Sequence, residues 1–263
     1  MKNKLNTKSL VMTALFIAIS LCVRTISINI IAAGTLTMRI SFAAIFYVLP
    51  GFLFGPIYGA IAGGIVDVLG YIITPMGPYI PLMTITNIIA GAVPALIFKN
   101  IKDINLKSIK KYYTVFFVLI LLVGMINFLS IKLMPFSILS KQLFKFGNKA
   151  QYFGIGFIMI SFIGLFILMM TVIIGRRLGK TCNFINRRYF KFAISIGVSG
   201  LIVSTLNTFI LLIFTPSLMA NGFLVLWIPR IVQTIFLTFI NSYIISILVY
   251  YYETFEKRLI EDI

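Results

Sequence analysis

Apolar residues run along this chain in long unbroken blocks, divided by short basic, polar or Pro/Gly segments. The period-two alternation of a transmembrane β-barrel is missing, so the pattern predicts membrane helices. A helix needs about 20 apolar residues to cross the bilayer core. The first block, about Leu10–Ala33, follows Lys2, Lys4 and Lys8. It is longer than the apolar region of a signal peptide and contains Arg24, which predicts a retained first span. The block Ile40–Ile73 is too long for one helix, and Pro50, Gly51, Gly55 and Pro56 break it. It predicts two spans, Ile40–Phe54 and Pro56–Ile73, joined by a tight turn. Three prolines and a glycine forbid helix over Thr74–Pro81. Further spans are predicted at about Leu82–Phe98, Tyr112–Leu133, Tyr152–Ile174, Phe192–Phe214 and Phe223–Tyr250. The expected architecture is an all-α polytopic bundle of eight spans, with both termini on one side.

Composition agrees with that pattern. Of the 263 residues, 60% are hydrophobic and 11% charged, against roughly 25% charged in ordinary soluble domains. Soluble enzymes and disordered chains are excluded on this ground. The net charge of +17 comes from 23 basic and 6 acidic residues. In a membrane protein such an excess marks cytoplasmic loops and anionic headgroups, not nucleic acid. With the N-terminus inside, 16 of the 23 basic residues fall in inner segments. The outer segment between spans five and six is the exception. Its Lys141, Lys145 and Lys149 recur every four residues, with Leu139, Leu143, Phe144 and Phe146 largely off that stripe, as in an interfacial amphipathic helix.

Catalytic chemistry finds no support. There is no His, and Cys22 and Cys182 are the two thiols. Metal centres, disulfide frameworks and His-dependent acid–base or nucleophile pairs are thereby excluded, and no cofactor is expected. The segment GRRLGKT (Gly175–Thr181) has three residues between its glycines where a phosphate loop needs four, and it follows a membrane helix. The chain is read as a non-enzyme that does not itself use ATP.

The informative residues are the charges inside spans. Arg24 falls in the outer half of span one, Arg39 opens span two from outside, and Arg230 opens span eight from outside, after Pro229. Asp67, in span three, is the one acid within a span. One arginine at a helix end is as readily a lipid-phosphate anchor. Three at one depth with a single acid predict an anion pocket open to the outside, because guanidinium forks suit carboxylates and phosphates. Asn87 and Thr84 in span four, Asn207 and Thr208 in span seven and Gln233 one turn after Arg230 extend the polar set. Such groups avoid lipid and point inward, to each other or to a ligand. Tyr47, Tyr71, Tyr79 and Trp227 are aromatic candidates by depth, with an interfacial belt the other reading for Tyr79 and Trp227. Gly55, Gly59 and Gly63 predict close packing within the bundle. The stripe Ala14, Ala18, Cys22 allows either internal packing or a face for a partner helix.

These residues carry a family resemblance. ALFIA (Ala14–Ala18), the block from Arg39 to Pro81 with its FGP turn, Gly-rich helix and GPY loop, LNT (Leu206–Thr208) and PRIVQ (Pro229–Gln233) resemble the substrate-binding S component of an energy-coupling factor (ECF) vitamin transporter of the folate family. The resemblance covers about residues 8–100 and 190–252 and implies a six-helix core with an inserted hairpin at about 111–176, all within one membrane domain (1–263). It implies a protein of the bacterial plasma membrane with cytoplasmic termini. It also implies tight vitamin binding from outside under the loops Ile30–Met38 and Thr74–Pro81. The partners implied are a membrane coupling subunit, docked on Ala14 and Ala18, and two cytosolic ATPases. Folate suits the arginines through the two carboxylates of its glutamate tail. Pantothenate or another small anionic vitamin precursor, and a membrane scaffold protein with lipid-anchoring arginines, are the alternatives.

Overall fold

The computed structural model of the chain describes residues 6–32, 35–133, 150–177, 180–221 and 223–261. Among these are eight α-helices and one β-hairpin. In order they are α1 (Thr7–Thr25), β1 (Ile28–Ala32), β2 (Thr35–Ile40), α2 (Ala43–Phe54), α3 (Pro56–Ile73), α4 (Pro81–Ile101), α5 (Leu106–Leu133), α6 (Ala150–Arg177), α7 (Lys180–Phe214) and α8 (Phe223–Glu261). A 3₁₀ turn, Pro216–Asn221, precedes α8. Six helices are long and apolar enough to cross a membrane, and α2 and the Gly154–Met170 part of α6 are shorter apolar helices. The fold is an all-α polytopic membrane bundle.

Each predicted span meets a helix, but the first one ends early. α1 stops at Thr25, where the N–H groups of Ile26 and Ser27 turn back to the carbonyls of Val23 and Arg24 (both 3.2 Å). The apolar run beyond it is strand, not helix. Ile28 pairs with Ile40, Asn29 with Arg39 and Ile30 with Met38, with a register shift after Ile30. The β-branched residues Ile28, Ile30, Ile31, Thr35 and Thr37 favour extended backbone, and hydropathy alone does not register that preference. Arg39 therefore lies on a strand ahead of α2, which starts at Ala43, where Ser41 Oγ accepts the Ala43 N–H (3.1 Å). The lysine stripe Lys141–Lys149 lies outside the described residues.

The chain divides into two compact units, residues 1–103 with 191–263, and Ile104–Phe190. In the first, α2, α3 and α4 touch through backbone. A Cβ on Gly59 would lie 2.2 Å from the Gly91 carbonyl oxygen, one on Gly91 1.9 Å from that of Gly59, and one on Gly63 2.1 Å from that of Asn87. Lipid tails offer helices no hydrophobic reason to associate, so close backbone packing supplies the attraction. Gly55, at φ +115°, turns the chain between α2 and α3, and Pro56 starts α3 where no N–H is needed. A core of Ile45, Val48, Leu49, Phe192, Ile245 and Val249 joins α2, α7 and α8. Phe98 stacks on Phe192, and Phe52 meets both edge-on, with ring centroids 4.7–5.4 Å apart.

One end of this unit is closed by contacts between distant segments. The Asn6 N–H donates to the Tyr58 hydroxyl (2.9 Å), and Lys8 Nζ pairs with Glu256 Oε1 at 3.5 Å. The start of α1, the first turn of α3 and the last turns of α8 thus share one end. The β-hairpin, the Thr74–Ile80 segment and the start of α8 occupy the other.

The second unit contains α5 and α6, packed at Gly124 and Gly154, whose added Cβ atoms would meet backbone at about 3 Å. Ser161 Oγ donates to the Phe117 carbonyl (2.6 Å) and Tyr113 Oη to that of Gly164 (3.3 Å).

Candidate binding site

Arg24 enters the first unit from the last turn of α1. Its guanidinium lies against Gly70 of α3, where a Cβ would come within 2.5 Å of Nε and Cζ. Any larger residue at position 70 would displace the arginine. Arg24 Nη1 donates to the Val66 carbonyl (2.9 Å) and lies 3.6 Å from Asp67 Oδ1. Both side chains are mostly buried, 11% and 14% exposed. Thr84 Oγ1 on α4 donates to Asp67 Oδ2 (2.7 Å). That proton being committed, the Tyr79 hydroxyl, 2.6 Å from Thr84 Oγ1, is the donor to it. A chain of polar contacts thus runs from the α3–α4 loop to α1.

Arg39 is placed by the strand pairing. Asn29 faces it across the hairpin, and Arg39 Nε donates to Asn29 Oδ1 (2.9 Å). Its own carbonyl accepts from Gln233 Nε2 of α8 (2.5 Å). Arg230, one turn before Gln233, is 8% exposed, and its Nη1 donates to the buried Thr208 Oγ1 of α7 (3.1 Å). Asn207 Oδ1 accepts from Thr86 Oγ1 (2.5 Å), and Asn87 Nδ2 donates to the Met83 carbonyl (3.0 Å).

These side chains surround one cavity of about 310 Å³. Arg24, Arg39, Asp67, Asn87, Asn207, Arg230 and Gln233, all expected at a site from the sequence, line it. Tyr79 does not. It lines a smaller cavity of about 70 Å³ with Tyr71, and this cavity shares Arg24, Arg39, Asp67 and Met83 with the larger one. Of the aromatic candidates Tyr47 reaches the main cavity. Trp227 does not line either one. Its Nε1 donates to Thr205 Oγ1 (2.9 Å), and its ring stacks on Phe223. Thr84 and Thr208 sit behind the cavity as partners of Asp67 and Arg230.

Sequence reasoning passed over Ser204, Thr234, Met38 and Met83, which also line the cavity. Helical spacing held a signal for two of them, since Thr234 is one turn after Arg230 and Ser204 one turn before Asn207. Their hydroxyls are 2.6 Å apart. Thr234 Oγ1 donates to the Arg230 carbonyl (2.7 Å), so Ser204 is the donor to Thr234.

Ala14 and Ala18 are elsewhere. They are exposed on α1, with Cys22 on the same stripe, while Thr13, Ile17 and Ser20 face inward. Within the first unit this stripe is exposed. Ser20 Oγ closes the inner side by donating to the Ala43 carbonyl (2.9 Å).

Chemically, the cavity combines three arginines and one aspartate, a formal charge of +2, with amide and hydroxyl groups and one tyrosine. Its volume lies at the lower end of the roughly 300–1,000 Å³ of small-molecule sites. Such a lining suits a compact organic anion with hydrogen-bonding edges.

Comparison with known proteins adds a family. A model described as the ECF-type riboflavin transporter S component matches residues 4–180. A protein named Folate transporter FolT, from Clostridium novyi (strain NT), is 27% identical over 95 residues, which is 36% of this chain and 55% of the relative. The aligned part thus spans about half the length of that relative. No solved structure matches the chain.

Proposed function

This chain belongs to the ECF-type riboflavin transporter S component family, and from that premise we propose that it captures folate for an ATP-driven uptake system. The charge of the cavity carries the reading. Riboflavin, which gives the family model its name, is uncharged at neutral pH and would leave the +2 lining without a counter-charge. Folate brings two carboxylates on its glutamate tail, for Arg39 and Arg230, and a pterin with donor and acceptor edges for Asn87, Asn207 and Gln233. The relative named for folate supports the same choice. Calorimetric titration of the purified chain with folate, riboflavin and pantothenate tests it. Folate is expected to bind at least about a hundredfold more tightly than riboflavin, a difference of about 2.7 kcal/mol. Tighter riboflavin binding would refute the assignment.

The rest of the mechanism follows the family reading. The vitamin enters from outside, and the ligand-bound protein docks on a membrane coupling subunit through the exposed Ala14–Ala18 face. Two cytosolic ATPases drive release inside. Both termini and the Lys99–Lys111 segment are cytoplasmic, as the distribution of basic residues supports. Cysteines placed at positions 3 and 105 should resist labelling from outside, and one at position 77 should react. The α5–α6 hairpin is read as an insertion into a six-helix core formed by α1–α4, α7 and α8, which together line the cavity.

A further inference from the structure

Resting on the anionic-ligand reading above, the geometry points to Asp67 as the residue that sets how many negative charges the site accepts, by holding Arg24 as an internal counter-ion pair. Three observations carry this. Arg24 Nη1 lies 3.6 Å from Asp67 Oδ1, with both side chains largely buried. Gly70 leaves room for the guanidinium and nothing larger, and the Val66 carbonyl takes one of its protons, so Arg24 is seated against α3. Thr84 donates to the other carboxylate oxygen of Asp67, fixing the acid as well.

Arg24 faces a carboxylate of its own chain. Arg39 Nε donates to Asn29 Oδ1 and Arg230 Nη1 to Thr208 Oγ1. Three arginines and one aspartate line the cavity, and this formal charge of +2 is matched to a dianion. Charges interact more strongly among partly buried groups than in water, so one acid is enough to change the charge class selected. A role for Asp67 in reading the pterin makes the opposite prediction, because its loss would then weaken every pterin-containing ligand.

The test uses purified full-length protein and three probes that differ by one charge: folate γ-amide with one carboxylate, folate with two and folyl-diglutamate with three. Wild type should prefer folate. Asp67→Asn should shift the ratio of diglutamate to folate affinity by about tenfold or more toward the trianion. The double variant Arg24→Gln/Asp67→Asn restores the formal charge of +2 and should return the ratio to within about threefold of wild type. It also guards against a single variant that fails to fold. An unchanged ratio in Asp67→Asn, or equal losses for all three probes and for pterin alone, overturns the inference and leaves the folate assignment standing. A wild type that binds none of the three overturns both.

Discussion

Two glycine-lined helix contacts in this protein are built alike, and the polar groups around them behave differently. In the α5–α6 pair, Ser161 and Tyr113 donate to carbonyls of the facing helix. These polar groups are spent on helix association. In the first unit, α3 and α4 approach even more closely at Gly59 and Gly91. Toward the far end of the same two helices, however, Asp67 and Asn87 line a cavity with three arginines. A polar residue in a membrane helix must find a partner. The comparison teaches that the partner is backbone where two helices pack without a gap, and includes other side chains where the helices border a cavity.

The largest expected effect breaks the tighter contact. Gly91→Leu pushes a side chain into the Gly59 carbonyl, which already lies 1.9 Å from a bare Cβ. About 3 kcal/mol or more of destabilisation is expected, seen as loss of a monodisperse species in size-exclusion chromatography. Gly156→Ala, in the second unit, meets nothing within 4 Å. It should leave the melting temperature unchanged, and a loss matching that of Gly91→Leu would mean that the glycines have no specific packing role.

Next in size is the transport defect of Ala18→Trp. The residue is exposed and makes no part of the cavity, so folate affinity should be retained while uptake in cells falls to background. Loss of binding as well would place this stripe among internal contacts.

At the site itself, Arg230→Ala and Arg39→Ala should each weaken folate by about ten- to a hundredfold, through loss of a charge-assisted hydrogen bond of roughly 1.5–3 kcal/mol. Lysine should rescue only in part, lacking the planar fork. Pterin without the glutamate should bind the variants as it binds wild type. Equal losses of both ligands would mean that these arginines support the fold.

The smallest effect is expected from removing the other region. Deleting Lys111–Arg176 and rejoining the ends takes out an even number of spans, so orientation downstream is kept. Folate affinity should stay within about threefold of wild type, as expected for a site whose lining residues belong to the first unit. The family match, running through residues 4–180, covers this hairpin and stops short of α8. An unfolded deletion variant would show that the hairpin belongs to the core.

The linear chain determined the helices and their number, because a bilayer leaves few ways to satisfy a backbone and each apolar block is long enough to read. It also carried the list of polar residues that belong together, since charges inside apolar blocks are costly and so stand out. Hydropathy did not separate helix from strand after Thr25, where β-branched isoleucines are as apolar as the helix before them. Nor could the chain say which arginine has a carboxylate opposite it. Arg24, Arg39 and Arg230 look equivalent along the sequence, and Gly70 reads as one more helix glycine. Only the packed bundle brings Arg24 onto Gly70 and beside Asp67, 43 positions away in sequence. That assignment depends on ångström distances between helices, which arise from how α1 crosses α3 and not from the composition of either.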